Sequence, residues 1–273
     1  MIDGRRVSSA VGTVVASIAI AFTPLHASIA TTPPGPGASA FVRASEPDSA
    51  PLSRARVVAR LDSSSVDHPP IFAGENLSGL DLSGLDFKRA NLSHAKLVGT
   101  KMMKAKMFSV NLDGANAREA DLSGATLDVA TMRGTDFTHA TLRDASLYAV
   151  IMSGVNFTDA DLTRVRIIGL ANDAIFVHAK LDHADLGADP RNQPMGVMRT
   201  DVSAADFSGA DLTGANLRKA KLTRATLTGA NLTDCDLSLA ELSGANFQKI
   251  VGRSAIKGLD QAKFRDEATF DPR

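Results

Sequence analysis

Six histidines, a single cysteine and a large stock of Ser, Thr and Asp are the residues of this chain that could carry chemistry. A hydrolytic relay needs a hydroxyl, an imidazole and a carboxylate within hydrogen-bond reach, and a metal centre needs several donors converging on one point. The spacing here supports neither. There is no G-x-S-x-G elbow, no glycine-rich phosphate loop and no H-E-x-x-H. His26 and His68 stand outside the regular part of the chain, and His94, His139, His178 and His183 all fall at one outward position of a repeated unit. His178 and His183 belong to consecutive units, which turn to different sides. Cys235 replaces an inward alanine, which predicts a buried, unreactive thiol. No catalytic residue, cofactor or metal is expected.

The unit that places these residues is five long. From Leu77 to Ile167 every fifth residue is large and apolar, Ala117 excepted, and the beat resumes at Phe176, Leu181 and Leu186 and again from Val202 to Phe247. Two residues before each such centre stands a second small position, alanine in 21 of 32 units. A period of five fits neither a helix nor a flat strand. Both positions turn inward only if the chain bends once per unit and closes a square of four, so that twenty residues make a coil. Successive coils then stack at the ~4.8 Å spacing of paired strands, and the second inward position must be small. Asp or Asn precedes the centre in 18 units and Ser or Thr follows it in 16, the residues that cap backbone N–H groups at bends. Leu122→Asp is therefore expected to cost several kcal/mol, and Asp128→Ala, on the outside, little.

Units such as Ala120-Asp121-Leu122-Ser123-Gly124 resemble the A-[DN]-[LF]-[ST]-G repeats of the pentapeptide-repeat family. The resemblance spans about Glu75 to Lys249 and implies an all-β fold, a right-handed quadrilateral β-helix. The family includes gyrase-binding proteins that mimic DNA in quinolone resistance, and many exported or lumenal proteins.

The beat slips twice. Ile167 and Phe176 are nine apart instead of ten, which predicts a bulge over 168–173, and Leu186 and Val202 are sixteen apart instead of fifteen, which predicts a loop over 187–199. In the family's quinolone-resistance members protruding loops contact the target, so the resemblance makes Asp189, Arg191 and Gln193 candidate contacts. A tolerated insertion is the alternative. Phe108, Tyr148 and Ile168 recur at multiples of twenty, with Asp128 between them and Val129 beside them, and are expected to form an exposed apolar stripe. Lys96, Lys101, Lys104 and Lys106 form a basic cluster over about one coil. Aromatic residues that would stack on bases are scarce, and nucleic-acid binding is not expected.

Around the repeat lie three further segments. Residues 1–30 combine Arg5 and Arg6, an apolar run from Val11 to Phe22 and the small-x-small pattern Ser28-Ile29-Ala30, which together read as a signal peptide and predict export to the periplasm or beyond. Residues 31–70 are rich in Pro, Ala and Ser and are expected to be a mostly disordered linker, with Arg54 to Leu61 as a short helix over the first coil. Residues 250–273 are expected to cap the array or to hold a homodimer. Thirty basic residues balance thirty acidic ones, and 28 against 29 remain after residue 30, so no whole-molecule field draws the chain to nucleic acid or to an anionic surface. No integral membrane span is expected after the leader.

These observations point to an exported, non-enzymatic scaffold with an unknown protein partner. A gyrase-binding DNA mimic is the alternative, and an enzyme built on a repeat scaffold the least favoured reading.

Overall fold

The computed structural model describes residues 50–189 and 198–272. The expectations for residues 1–49, the signal peptide included, and for Arg191 and Gln193 lie outside those described residues.

Each unit is a bend closed on itself. The Leu122 carbonyl accepts the Ala125 N–H at 2.9 Å across Ser123 and Gly124, and Gly124 holds φ 65°. That is the type II turn, whose third residue must be left-handed, so Gly, His and Asp gather there. The carboxylate ahead of the centre completes the bend: Asp121 Oδ1 accepts the Ser123 N–H at 2.9 Å.

Four bends make a coil, and the residue before each centre pairs in parallel with its equivalent twenty residues on, as in Asp81–Lys101–Asp121–Thr141. The result is the expected right-handed quadrilateral β-helix. Ile71, Asn91, Asn111 and Thr131 lie on its first side; Asn76, Lys96 and Asn116 on the second; Asp81, Lys101 and Asp121 on the third; Asp86, Lys106 and Thr126 on the fourth. The centres and the small positions fill the interior. On the second side Phe137, Phe157, Phe176 and Phe207 stack with ring centroids 5.2, 5.3 and 4.6 Å apart. This ladder runs straight through both slips in the beat, so the slips lie elsewhere.

They lie at one edge, where the fourth side of each coil turns into the first side of the next; we call it the closing edge. Strand β1 (Ser146–Ile151) pairs with β2 (Arg166–Leu170), and the register shifts between Tyr148 and Val150, so that Gly169 lies opposite Val150. The bend after Ile167 is one residue short, and the next centre is Ala171, a residue too small to be read as one. The irregularity is thus confined to Ala149 and Gly169 instead of spanning 168–173, and the chain is regular again by Ala171. The insertion 187–199 leaves and rejoins at the same edge, lengthening the pairing interval to 31 residues, as in Leu170–Asp201.

The first centre is Phe72, one unit before the expected Leu77, and the short helix expected over the first coil forms as α1 (Arg54–Asp62): capped by the Ser53 hydroxyl, it buries Val57 and Leu61 against that coil. There Leu80 and Leu85 fill the position that is small elsewhere, and both remain partly buried against the core. At the other end Val251, Lys257, Lys263 and Thr269 pair with the preceding coil at intervals growing from 20 to 23 residues. The last coil includes β3 (Asn246–Phe247) pairing with β4 (Thr269–Phe270) and stacks Phe247 on Phe270 at 4.9 Å. No described helix is long and apolar enough to cross a membrane.

Candidate functional site

The closing edge is where the molecule departs from its own rule. At the other three edges the left-handed position is repeatedly glycine, for example Gly114, Gly209 and Gly124. At the closing edge it is Arg89, Ser109, Val129, Ala149, Lys219 and Leu239, all with φ between 57° and 65°, and glycine with positive φ appears there only at the slip, Gly169, and in the irregular last coil, Gly258. A left-handed backbone costs an L-residue about 1–2 kcal/mol, and a β-branched one such as Val129 is a marked exception. Strain of this kind persists where the side chain presented is worth more than the conformation.

Every described member of the expected interaction surface falls on this edge, but only some are accessible. Phe108 is 54% exposed, with Val129 also exposed in the next coil. Tyr148 is half-buried beneath Arg166, whose guanidinium carbon lies 5.0 Å from the ring centroid. Ile168 is 1% exposed, so the stripe stops short of it: the shortened bend at Gly169 draws that side chain in. Asp189 is likewise no outward contact; it is 2% exposed, its N–H bonds Met198 O at 2.8 Å, and its carboxylate lies 3.4 Å from Arg166. It pins the base of the insertion to the shaft.

The basic cluster is dispersed. Lys96 lies on the second side, Lys101 on the third, Lys104 at the following edge and Lys106 on the fourth, so no ligand meets all of them. Lys101 stands between Asp81 and Asp121, and Lys106 between Asp86 and Thr126. On the first and third sides basic residues instead alternate with acidic ones, as in Asp201–Lys221–Glu241–Lys263 and Asp81–Lys101–Asp121.

The histidines of consecutive units diverge as expected, but stacking brings together two that the linear reading kept apart. His139 and His178 lie 3.8 and 3.7 Å from opposite oxygens of Asp159 on one edge. The signal was the interval, twenty residues and then nineteen through the slip. No group of three His, Cys, Asp or Glu among the described residues is placed to hold a metal. Burial, and after it the neighbouring Asp236, pushes the Cys235 thiol up to about 12, where thiolate chemistry is negligible.

Carboxylates serve the bends. At Asp136, Asp161, Asp201 and Asp236 burial raises the pKa, but the hydroxyl and N–H of the Ser or Thr two residues on, together with an Arg or Lys, outweigh it and hold the group below its ordinary value. A low pKa held by a local turn and a stacked cation marks a structural carboxylate, not a general acid or base.

A shaft whose interior is plugged by its own side chains defines a solenoid repeat protein of the β-helical class. Pentapeptide repeats match residues 72–107, 105–144, 140–170, 203–238 and 220–250, more than half of the chain, and the protein belongs to that family. Among solved structures it is similar to HetL, a pentapeptide repeat protein involved in heterocyst differentiation regulation from the cyanobacterium Nostoc sp. strain PCC 7120, at 25% identity and a TM-score of 0.47 over 80% of this chain and 94% of HetL. A pentapeptide repeat protein of the Arabidopsis thaliana thylakoid lumen is 36% identical over 34% of this chain and 66% of its own, with a TM-score of 0.34. QnrB1, a plasmid-mediated fluoroquinolone resistance protein, is 13% identical in a trypsin-treated form, over 70% of this chain and 89% of its own, with a TM-score of 0.36. No match was found among curated protein sequences.

Proposed function

We propose that this protein is a non-enzymatic interaction scaffold that meets a protein partner through the closing edge. The observation that carries the reading is that the regular bends of this edge present non-glycine, often apolar, side chains where the other edges often use glycine, together with the register slip and the insertion, with Phe108 and Val129 exposed in adjacent coils. Family membership supports it, since the interior of the shaft is fully used in packing. A DNA mimic would need sides of continuous negative charge, and the cations set between carboxylates, as Lys101 is between Asp81 and Asp121 and Lys221 between Asp201 and Glu241, speak against one.

Export through residues 1–30 is part of the same proposal and rests on their sequence. A second copy docking on the C-terminal end also belongs to it. That end carries an open cavity of about 760 Å3 bordered by Arg253, Leu259, Arg265 and Phe270. Crosslinking from a photoreactive residue at 108, in cells and after fractionation, tests the reading. Adducts to a defined envelope or extracellular protein, absent when the probe sits at exposed position 104 on another edge, are expected. Equal labelling from both positions would refute the closing edge as the contact surface.

A further inference from the structure

Further down the closing edge, Arg199, Lys219 and Lys263 converge on a hollow of about 290 Å3 whose remaining wall is Leu239. Its charges do not balance. Glu241 Oε1 accepts from Arg199 Nη1 at 2.8 Å and lies 3.5 Å from Lys263 Nζ, so one carboxylate oxygen serves two cations. The neighbouring cations are matched: Lys221 to Asp201 at 3.1 Å and Arg218 to Asp236 at 3.5 Å. Lys219 is half-buried, and no carboxylate among the described residues lies within ion-pair distance of it. Three cations and one acid leave a surplus of two positive charges around a concave space. The wall is just as unusual, because Leu239 is 37% exposed and holds φ 60°, where other edges use glycine, alanine or a polar residue.

We propose that this hollow binds a phosphate monoester. The headgroup carries about 1.5 to 2 negative charges at neutral pH, which matches the surplus, and its three terminal oxygens suit donors arriving from three directions. Lys219 and Lys263 act as point charges on it, Arg199 contributes the donors that Glu241 leaves unused, and the ester's first carbons rest on Leu239. An acetate-sized monoanion would neutralise half of the charge and leave Leu239 uncovered. The assignment stands apart from the scaffold reading, since it needs neither Phe108 nor a protein partner.

Calorimetric titration of the full chain at low ionic strength tests it, with glycerol 3-phosphate, inorganic phosphate and acetate as probes. Glycerol 3-phosphate is expected to bind saturably, with a Kd on the order of 0.1–1 mM, weakening as salt screens the site. Lys219→Asn, which suits a left-handed backbone and removes the charge, should weaken it roughly tenfold or more. Leu239→Asn should weaken glycerol 3-phosphate while leaving inorganic phosphate unchanged, and Lys104→Asn, on another edge, should change neither. The proposal is overturned by any of three results: no saturable heat with glycerol 3-phosphate, binding of inorganic phosphate but not of the ester, or equal losses for the variants at 219 and 104.

Discussion

Asp128 shows how a single carboxylate can be misjudged from its outward position. It accepts the Ser146 hydroxyl at 2.6 Å and the Tyr148 N–H at 3.0 Å, both in the next coil. In most units that N–H is taken by the unit's own Asp or Asn, but position 146 is serine, and Asp128 fills the gap from twenty residues away. Asp113 does the same for the Arg133 N–H at 2.8 Å, where Thr131 is the residue that cannot. Asp128→Ala is therefore expected to cost about 1–3 kcal/mol, more than an ordinary outward aspartate, and Leu122→Asp about 3–5 kcal/mol; chemical denaturation of both variants measures the difference. The bend carboxylates with lowered pKa act together as an acid limit on stability. A group whose folded pKa lies below its unfolded value stabilises the fold above the unfolded value, near 3.8 for Asp136 and Asp161, and loses that contribution as pH falls through the folded pKa. The melting temperature is expected to hold level from about pH 7 to 5 and to drop steeply below about pH 4. A profile that stayed flat to about pH 2 would mean that the bends do not depend on ionised carboxylates.

Among the elements, the paired strands at the slip are where a glycine backbone approaches another backbone most closely. A Cβ on Gly169, which holds φ 153°, would lie 2.2 Å from the Val150 carbonyl oxygen. Gly169→Ala is expected to cost about 2–4 kcal/mol, whereas Gly134→Ala, at the milder φ of 60° and with open space around it, should cost about 1 kcal/mol. Thermal melts of the two variants check the difference, and equal costs would mean that the strands at the slip yield to a side chain. The regular elements were legible in the sequence because two inward positions in five leave a single way to fold, and pairing at twenty follows from it. The slip was legible as a change of count but not in its position, because Ala171 is too small to announce itself as a centre. The closing edge was half legible: Phe108 and Val129 could be placed by arithmetic, but the burial of Ile168 and Asp189 depends on how the short bend and the insertion fold back. The cation hollow was not legible at all, because Lys263 reaches it only through the irregular intervals of the last coil.

For the whole molecule, the first coil presents the same difficulty as any solenoid end: its carbonyls have no preceding coil to donate to them. The segment before it supplies substitutes one by one. Arg60 Nη1 donates to Ile71 O at 2.7 Å, the Leu52 N–H to Asn76 O at 2.8 Å and Arg54 Nε to Asp81 O at 2.8 Å, while Val57 and Leu61 cover the apolar cross-section. Lys88 returns the interaction by donating to Leu61 O at the end of α1 at 2.7 Å. Because each coil touches only its neighbours, loss of this cover should loosen the array from one end instead of melting it as a unit. Val57→Asp is accordingly expected to speed hydrogen exchange at Leu77, Leu82 and Phe87 by at least tenfold, equivalent to about 1.4 kcal/mol of local stability, and to promote association through the bared edge. Exchange at Leu212 and Leu217, six coils away by the stacking order, should not change. Uniform acceleration along the shaft would show instead that α1 holds the whole molecule in one cooperative transition, and unchanged exchange at Leu77 that the first coil stands without it.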